Sequence, residues 1–223
     1  MFHWLQRRLR RRTELEVIEA YERWAPCYPP RAHNRFMELE ERTMLAVLPD
    51  PKGCAALDLA CGTGRYLELL RRMGASPVVG VDSSTAMLAR AREISSELIQ
   101  ADLLDLSLRP AIFQIVICAL AVGHVEDLSR AMKEISRLLV AGGTLVYSDF
   151  HPGGAWSGWK RTFRGKDGRD YSVKHHIHTY ADHFAACKSA GLRIDDVREP
   201  RMDGNHPGLD APVLLVIRAG KAE

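Results

Sequence analysis

Two features of the sequence, a glycine turn and a single acid, point to a ligand site. An apolar run ending at Leu59 is followed by the turn Gly62-Thr63-Gly64, and a second apolar run over 78–81 ends at Asp82. Glycines let backbone N–H groups approach a ligand where a helix begins, and an acid after the next strand can accept hydrogen bonds from two ribose hydroxyls. The pair therefore predicts a nucleoside pocket.

The spacing of these residues helps to decide which nucleoside. Asp82 lies 18 positions after Gly64, close to the roughly 20 of a dinucleotide site. A dinucleotide site usually has a third small residue three positions after Gly64, where this chain has Leu67. Asp58 would repel a pyrophosphate and would suit a ligand with an ammonium group, or it orients the turn.

Four stretches of the chain carry motifs in the order of a known family. They are residues 58–64, 80–84, 100–102 and 138–145. In this order they resemble the motifs of the class I S-adenosylmethionine-dependent methyltransferases, and the resemblance covers about residues 54–150. Ala60 stands where the family usually has its first glycine, and Ala141 where it has a proline. Both departures are mild, because alanine is small and Gly142-Gly143 still supplies the turn.

The resemblance implies an α/β fold, a doubly wound and mostly parallel seven-stranded sheet of Rossmann-like type. It also implies a helical N-terminal lid and a hairpin insertion after strand 5. We expect one domain, with the lid in residues 1–50, the cofactor-binding core in 54–150, the substrate-side insertion in 151–180 and a C-terminal helix and strands in 181–223. Such sheets bind ligands at the carboxyl ends of their strands.

The pattern of apolar and capping residues predicts the elements along the chain. Asp127 precedes apolar residues at helical spacing, and Ser84 precedes a second helical segment. The other predicted elements are a helix after Gly64, strands over 98–101, 113–119 and 143–150, a hairpin over 159–179 turning at 165–168, a helix over 180–190 and a strand over 211–218. Repeated strand-helix units favour a parallel sheet covered by helices on both faces.

The cofactor implied by the resemblance is S-adenosyl-L-methionine. The residues that match the family's cofactor-binding positions are Tyr21, Tyr28, Asp58, Ala60, Gly62, Thr63, Gly64, Asp82, Ser83, Met87, Asp102, Leu103, Ala119 and Leu120. Asp82 would bind the ribose, although it could instead cap the next helix. Asp102 would hold the adenine amino group, with Leu103 or Met87 on the ring, but an acid at this place is equally typical of a turn.

Aromatic residues near the N-terminus extend the resemblance. The stretch 21–28 resembles the lid element of the ubiquinone and menaquinone methyltransferases, in the small-molecule branch of the family, with Tyr21 and Tyr28 at the matching spacing. Either tyrosine would face the sulfonium, since an aromatic face stabilises a cation. The alternative is that this aromatic stripe belongs to the core.

Histidines are the candidates for a general base, because an imidazole titrates near the working pH. We expect His151 first and His178 second, since both follow the fifth strand on the acceptor side. His124 resembles a histidine of the small-molecule branch, with a structural role in its loop as the alternative. In the predicted hairpin, His176 and His178 share one face of a strand and His175 lies on the other. A metal site of His176, His178 and His183 or Asp182 would match no familiar spacing, and we expect no metal.

Composition places further limits on the function. The 223 residues have 46% hydrophobic and 26% charged residues and a net charge of +3, which is too small to indicate a nucleic-acid partner. Five scattered cysteines without a CxxC pair argue against a disulfide framework and indicate a reducing, cytoplasmic location. No signal peptide fits the start, and the apolar stretch 111–123 is too short to span a bilayer.

The acceptor is expected to be a small molecule, methylated on oxygen, nitrogen or carbon. The insertion carries Trp156, Trp159, Lys160, Arg161, Arg164, Lys166 and Lys174, which suit an anionic or aromatic acceptor unless they are simply solvated. The basic stretch 2–12 suits peripheral membrane contact and a lipophilic acceptor, or a solvated arm. Two alternatives stay open: an RNA or protein methyltransferase, and a cofactor-binding protein without catalysis. We expect a monomer or homodimer.

Overall fold

The centre of the protein is a seven-stranded sheet. The computed structural model describes residues 12–202 and 211–223. The strands of the main sheet are β2 (Ala56–Leu59), β3 (Val78–Asp82), β4 (Leu98–Gln100), β5 (Phe113–Ala119), β6 (Leu139–Phe150), β9 (Leu192–Arg198) and β10 (Leu214–Lys221). They lie in the order β4-β3-β2-β5-β6-β10-β9. Only β10 runs antiparallel, to both β6 and β9, so the predicted mostly parallel seven-stranded sheet is confirmed.

Helices cover both faces of this sheet. They are α2 (Arg35–Val47), α3 (Arg65–Arg72), α4 (Thr85–Ala91), α5 (Leu128–Leu138) and α7 (Tyr180–Ser189). One face packs against α5 and α7, and the other against α2, α3 and α4. Neighbouring residues of β5 alternate between these two cores, with Val116 in the first and Ile117 in the second. The chain therefore forms the doubly wound arrangement that its alternating pattern predicted.

Side-chain caps set where two of these helices begin. The Ser84 hydroxyl accepts a hydrogen bond from the Met87 N–H at 3.1 Å, and the Asp127 carboxylate accepts one from the Arg130 N–H at 2.9 Å. Each cap satisfies a backbone N–H that has no partner within its helix. The sequence predicted both of these caps. They hold α4 and α5 with their N-termini at the carboxyl edge of the sheet.

A second, three-stranded sheet joins the N-terminal segment to the insertion. The antiparallel hairpin of β7 (Thr162–Arg164) and β8 (Asp170–Val173) turns where the sequence predicted. The strand β1 (Thr13–Leu15) pairs in parallel with β8, and α1 (Val17–Trp24) follows it. The lid region is thus partly a strand, where the sequence predicted only helices.

Other details differ from the sequence-based expectations. The hairpin ends at Val173, so the expectation that His175, His176 and His178 lie on a strand is wrong. A short helix, α6 (Pro152–Trp156), opens the insertion, and β9 follows α7; neither was located from the sequence. The basic stretch at positions 2–11 lies outside the described residues. Within the described part of the chain, no helix is long and apolar enough to cross a bilayer.

Candidate functional site

A cavity of about 360 Å³ lies at the carboxyl ends of the parallel strands. This is within the range of small-molecule sites. Its lining includes these residues from the sequence-based site: Tyr21, Tyr28, Asp58, Ala60, Gly62, Thr63, Asp82, Ser83, Met87, Asp102, Leu103, Ala119, Leu120 and His124. The topology brings them together, because the turns after β4, β3, β2 and β5 follow one another along one edge of the sheet.

Asp82 connects two neighbouring turns of this edge. One oxygen of its carboxylate accepts a hydrogen bond from the Gly62 N–H at 2.8 Å, and the other accepts from the Ser84 N–H at 2.9 Å. Burial raises the pKa of Asp82, against these backbone hydrogen bonds, which lower it. Each carboxylate oxygen can accept a second hydrogen bond. The acid therefore holds the turn and retains accepting capacity toward the cavity.

The turns at the strand ends use the left-handed backbone region. Ala60 and Gly62 follow β2 with φ of 58° and 56°, and Leu120 follows β5 with φ of 55°. Non-glycine residues adopt this conformation at a cost, and such strain concentrates at functional sites. Gly64, with φ of 92°, begins α3 instead, and a Cβ there would lie 3.0 Å from Ile94 Cδ1. Gly64 is the one predicted cofactor residue that does not line the cavity.

Asp58 is buried beneath the turn. One of its carboxylate oxygens accepts a hydrogen bond from the Leu67 N–H at 3.0 Å, in the first turn of α3. Burial raises the pKa of Asp58 to about 7, and the nearby Arg65 opposes this shift. This hydrogen bond suits the orienting role that the sequence left open for Asp58, and because Asp58 also lines the cavity, its contact with an amino group stays a prediction.

Asp102 and two apolar side chains complete this side of the cavity. The Asp102 carboxylate accepts a hydrogen bond from the Leu104 N–H at 2.8 Å, as an acid in a turn does. Met87 and Leu103 lie beside it in the cavity wall. We call Asp58, Asp82 and Asp102 the acidic side of the cavity, since they lie in or just after three adjacent strands.

The aromatic residues of the lid divide between cavity and core. Trp24 stacks on Phe163 at 4.7 Å between ring centroids, in the small core between α1 and the hairpin. Tyr21 and Tyr28 each contact Trp24 and also line the cavity. Trp24 thus belongs to the core, while Tyr21 and Tyr28 lie in the cavity wall, and their contact with a sulfonium stays a prediction.

Glu22 ties the lid to the sheet. Its carboxylate accepts hydrogen bonds from the Ser84 hydroxyl at 2.8 Å, the Thr85 hydroxyl at 3.2 Å and the Ala86 N–H at 3.2 Å. A carboxylate is favourable at a helix N-terminus such as that of α4. The sequence analysis did not identify this contact, because it joins positions more than 60 residues apart.

Three side chains from distant parts of the chain form the opposite side of the cavity. The Tyr21 hydroxyl lies 2.8 Å from His124 Nε2, and Arg161 Nη1 contacts both of these groups, at 3.0 Å from Nε2. His124 Nδ1 lies 3.2 Å from the Lys174 carbonyl oxygen, which can only accept. Nδ1 therefore carries the proton, and Nε2 is an acceptor. We call Tyr21, His124 and Arg161 the basic side.

The ionisation states on this side follow from burial. Burial, with the Arg161 charge, lowers the pKa of His124 well below its usual value, so the ring is neutral at pH 7. Burial raises the pKa of Tyr21 to about 12, although Arg161 opposes this. Arg161 is thus the charged member of the group. The sequence named it only among seven residues of the insertion, and nothing in its neighbours distinguished it.

The two arginines of the cavity have different surroundings. Arg65 donates to Glu40 at 2.7 Å and to Glu41 at 3.1 Å. The buried Glu40 also accepts from the hydroxyls of Tyr66 and Ser148. Arg161 has no carboxylate within 4.0 Å among the described residues, and its guanidinium lies 4.9 Å from the centre of the Phe150 ring.

The structure does not place the two preferred histidines against the cavity. His151 Nδ1 accepts from the Gly153 N–H and so caps α6, while its Nε2 lies 3.1 Å from Glu199. His178 Nε2 donates to the Val125 carbonyl at 2.9 Å. Both rings are held by these local contacts, so the geometry argues against them as bases and leaves His124. Among the described residues, no cluster of histidine, cysteine and acid side chains is arranged for a metal ion.

Comparisons with known proteins agree with this arrangement. The family described as "Methyltransferase domain" matches residues 57–147. The 2-phytyl-1,4-naphtoquinone methyltransferase of Thermosynechococcus vestitus is 42% identical over 151 residues, which are 63% of this chain and 66% of that protein. The malonyl-[acyl-carrier protein] O-methyltransferase of Pectobacterium atrosepticum is 30% identical over 177 residues, 77% of this chain and 66% of that protein. The chain thus spans just under two thirds of the length of these relatives.

A solved structure extends the likeness to the fold. The S-adenosylmethionine-dependent methyltransferase of Mesorhizobium loti superposes with a TM-score of 0.70 at 26% identity. The match covers 84% of this chain and all of the other. It includes more of the chain than the family match, and so extends beyond the central strands.

Proposed function

This chain belongs to the class I S-adenosylmethionine-dependent methyltransferases, and on that premise we propose that it transfers a methyl group from S-adenosyl-L-methionine to a small-molecule acceptor. The observation that carries the proposal is Asp82, whose carboxylate spans the Gly62 turn and the start of α4 in the wall of the cavity. A ribose needs such an acceptor pair for its two hydroxyls.

The rest of the acidic side suits the cofactor as well. Met87 and Leu103 line the cavity with Asp102, and we propose that they pack on the purine ring. Ala119 and Leu120, at the end of β5, line the part of the cavity between the acidic and basic sides. We propose that they contact the methionine portion, and that the nearby acids favour its positive charge over an anionic pyrophosphate.

The protein's own contribution to methyl transfer is alignment and exclusion of water. When bound, the cofactor supplies a sulfonium-activated methyl group, which an acceptor displaces in line. Tyr21 and Tyr28 cover the cavity from the lid and keep water from it. Alignment of this kind accounts for roughly 7–11 kcal/mol of barrier lowering in well-oriented reactions.

His124 is the residue that we propose as a general base where the acceptor must lose a proton. Its Nδ1 donates to the Lys174 carbonyl, and its Nε2 lone pair accepts from the Tyr21 hydroxyl or from Arg161 Nη1, so an acceptor must displace these donors before it can give a proton to Nε2. Its lowered pKa keeps it unprotonated at neutral pH and also makes it a weak base. A carboxylate or other anionic acceptor would need no base.

Two measurements test the proposed function. Titration calorimetry with S-adenosylhomocysteine, the demethylated product, is expected to show one site per chain, and a crystal soaked with it should place the ribose at Asp82. Incubation of cell extract with cofactor carrying a labelled methyl group should then label small molecules. Label in RNA or protein would support the macromolecular alternative, and binding without any transfer would support a protein without catalysis.

The state of the cysteines bears on the cellular setting. The five cysteines are all free, and three of them, Cys61, Cys118 and Cys187, are buried, as suits a reducing compartment. We propose a cytoplasmic location on this ground. Membrane contact through the basic N-terminal stretch, and a monomeric or dimeric state, remain predictions from the sequence.

A further inference from the structure

Arg161 is a cation that faces the cavity without an anion to balance it. A guanidinium has five N–H donors, but in the described residues only Nη1 of Arg161 makes hydrogen bonds, to Tyr21 and His124. Both of those partners are neutral, as their pKa values show. An uncompensated charge away from water is costly, so this site is suited to an anion.

The acids nearest in the fold do not fill that role. Asp149, at the end of β6, lies 3.6 Å from His175 and more than 4.0 Å from Arg161. Burial raises its pKa to about 7, so it carries only part of a negative charge at neutral pH. Glu16 lines the cavity but pairs with Lys174 at its rim. The other cavity arginine, Arg65, is balanced by Glu40 and Glu41.

The hydrogen bonds within the basic side leave an excess of donors. Nε2 of His124 has one lone pair, yet both the Tyr21 hydroxyl and Arg161 Nη1 lie within hydrogen-bonding distance of it. The group therefore has more donors than acceptors. An oxygen anion that entered the cavity would accept from Arg161 and relieve this excess.

We propose that the acceptor is an apolar small molecule bearing one carboxylate, and that Arg161, supported by Tyr21, binds an oxygen of this group. This inference rests on the proposed function, because it specifies the acceptor of the same cavity. The apolar part of the molecule is matched by Val17, Ile18, Ala121 and Val125, which line the cavity around the basic side. Arg161 would thus select the acceptor by its acidic group, while Asp58, Asp82 and Asp102 of the acidic side would select the cofactor.

The test compares acids with their neutral isosteres on the protein saturated with S-adenosylhomocysteine. The probes are 2-naphthoate with 2-naphthamide, octanoate with octanamide, and 4-phenylbutyrate with 4-phenylbutyramide. In the unaltered protein at least one carboxylate should bind about tenfold more tightly than its amide. If none of the three carboxylates does so, the proposal is wrong, whatever any variant shows.

Two variants assign the effect to Arg161. Arg161→Gln should reduce the acid preference to within about threefold and leave the affinity for S-adenosylhomocysteine nearly unchanged. Arg164→Gln is the matched control, since Arg164 lies on the same hairpin but is exposed and donates only to the Gly168 carbonyl. It should keep the full preference. If Arg161→Gln fails to fold, Arg161→Lys, which keeps the charge, should keep most of the preference.

The outcomes separate this inference from the proposed function. If the unaltered protein does not bind S-adenosylhomocysteine, the proposed function falls. If it binds but Arg161→Gln weakens that binding about tenfold, the anion at Arg161 is the cofactor's own carboxylate, and only the inference about the acceptor is overturned. An acid preference that survives in Arg161→Gln would overturn it as well.

Discussion

The acidic and basic sides of the cavity are built in different ways. Each acid of the first side lies in or just after a strand and accepts from a backbone N–H of a nearby turn or helix start, as Asp82 does from Ser84. The basic side joins Tyr21, His124 and Arg161, which lie on the lid, the loop after β5 and the insertion. Local sequence motifs therefore set the acidic side, whereas the basic side forms only when distant segments of the chain come together in the fold.

The contrast extends to charge. The cation nearest the acidic side, Arg65, is held by two carboxylates, whereas Arg161 on the basic side has only neutral partners among the described residues. A buried ion pair whose hydrogen bonds are all made, such as that of Arg65, rigidifies the fold and leaves no unbalanced charge for a ligand. A cation without such partners can be balanced by an anionic ligand. The four predictions below test this difference, from the largest expected effect to the smallest.

Removal of Glu40 should weaken the contrast, because it would leave Arg65 with Glu41 as its one remaining carboxylate partner among the described residues. Glu40 is fully buried and accepts from Arg65, Tyr66 and Ser148. We expect Glu40→Ala to lower the free energy of unfolding by about 3–5 kcal/mol, measured by urea denaturation. Glu41→Ala, at a partly exposed pair, is the control and should cost about 1 kcal/mol or less. Equal losses in both variants would contradict the assignment.

Loss of Asp82 should affect the acidic side alone. Asp82→Ala is expected to weaken S-adenosylhomocysteine binding about 100-fold, since hydrogen bonds to a charged group contribute roughly 1.5–3 kcal/mol each. Titration calorimetry measures this, with Asp195→Ala, an exposed acid on β9, as the control. Unchanged affinity in Asp82→Ala would refute the site assignment.

The two sides should respond to pH with opposite signs. The pKa of Asp58 is about 7 in the folded protein and near 3.8 when unfolded, so the folded state binds more protons between these values. Stability from Asp58 therefore falls as pH rises from about 4 to 7. Asp58→Asn should be at least about 2 kcal/mol more stable than the unaltered protein at pH 8, and nearly equal to it at pH 4, by urea denaturation.

His175, which packs against His124 of the basic side without lining the cavity itself, gives the reverse slope. Burial lowers the pKa of His175 to about 4, below the unfolded value of 6.5, so the unfolded state binds more protons between them. Stability from His175 is present above pH 6.5 and is lost as pH falls toward 4. A His175→Gln variant should lose less stability than the unaltered protein over that range. If Asp58→Asn and His175→Gln change the pH dependence of the free energy of unfolding in the same direction, the predicted opposite contributions of Asp58 and His175 are wrong.

The smallest effect is expected at the turn after β2. Ala60 adopts a φ of 58°, a region that costs an L-residue roughly 1–2 kcal/mol. Ala60→Gly should therefore stabilise the protein by about 1 kcal/mol or slightly less, because glycine also gains entropy when unfolded. Thermal unfolding measures the change. Ala119→Gly, at a strand position without positive φ, is the control and should destabilise.

The sequence predicted the fold and the acidic side for the same physical reason. Strand-helix alternation and the turn at Gly62 are local patterns, and the order of strands in a parallel sheet brings their ends together. The placing of Asp82 beside that turn agrees with its predicted role, which stays a prediction until a ligand is seen. The mild departure noted at Ala60 is in fact a strained residue, which composition alone does not reveal.

The basic side and the positions of the histidines could not be predicted, because they depend on contacts between residues that are distant in the sequence. His151 and His178 were reasonable candidates by position after the fifth strand, but the caps and loop contacts that occupy their rings form only in three dimensions. Arg161 differs from Arg164 by whether its side chain faces the cavity, and the sequence of the hairpin does not encode that distinction. The contact of Glu22 could likewise not be predicted from the sequence, since its partners lie at the start of α4.

The parallel pairing of β1 with β8 has a consequence for how the chain is made. Thr13–Leu15 is among the first described segments to leave the ribosome, yet its partner is Tyr171–Val173. The strand must therefore stay unpaired until residues 171–173 have been synthesised, and contacts of such long separation form slowly. We expect a nascent chain to assemble its nucleoside turns first and to complete the Tyr21 and Arg161 cluster only after the hairpin of β7 and β8 has left the ribosome.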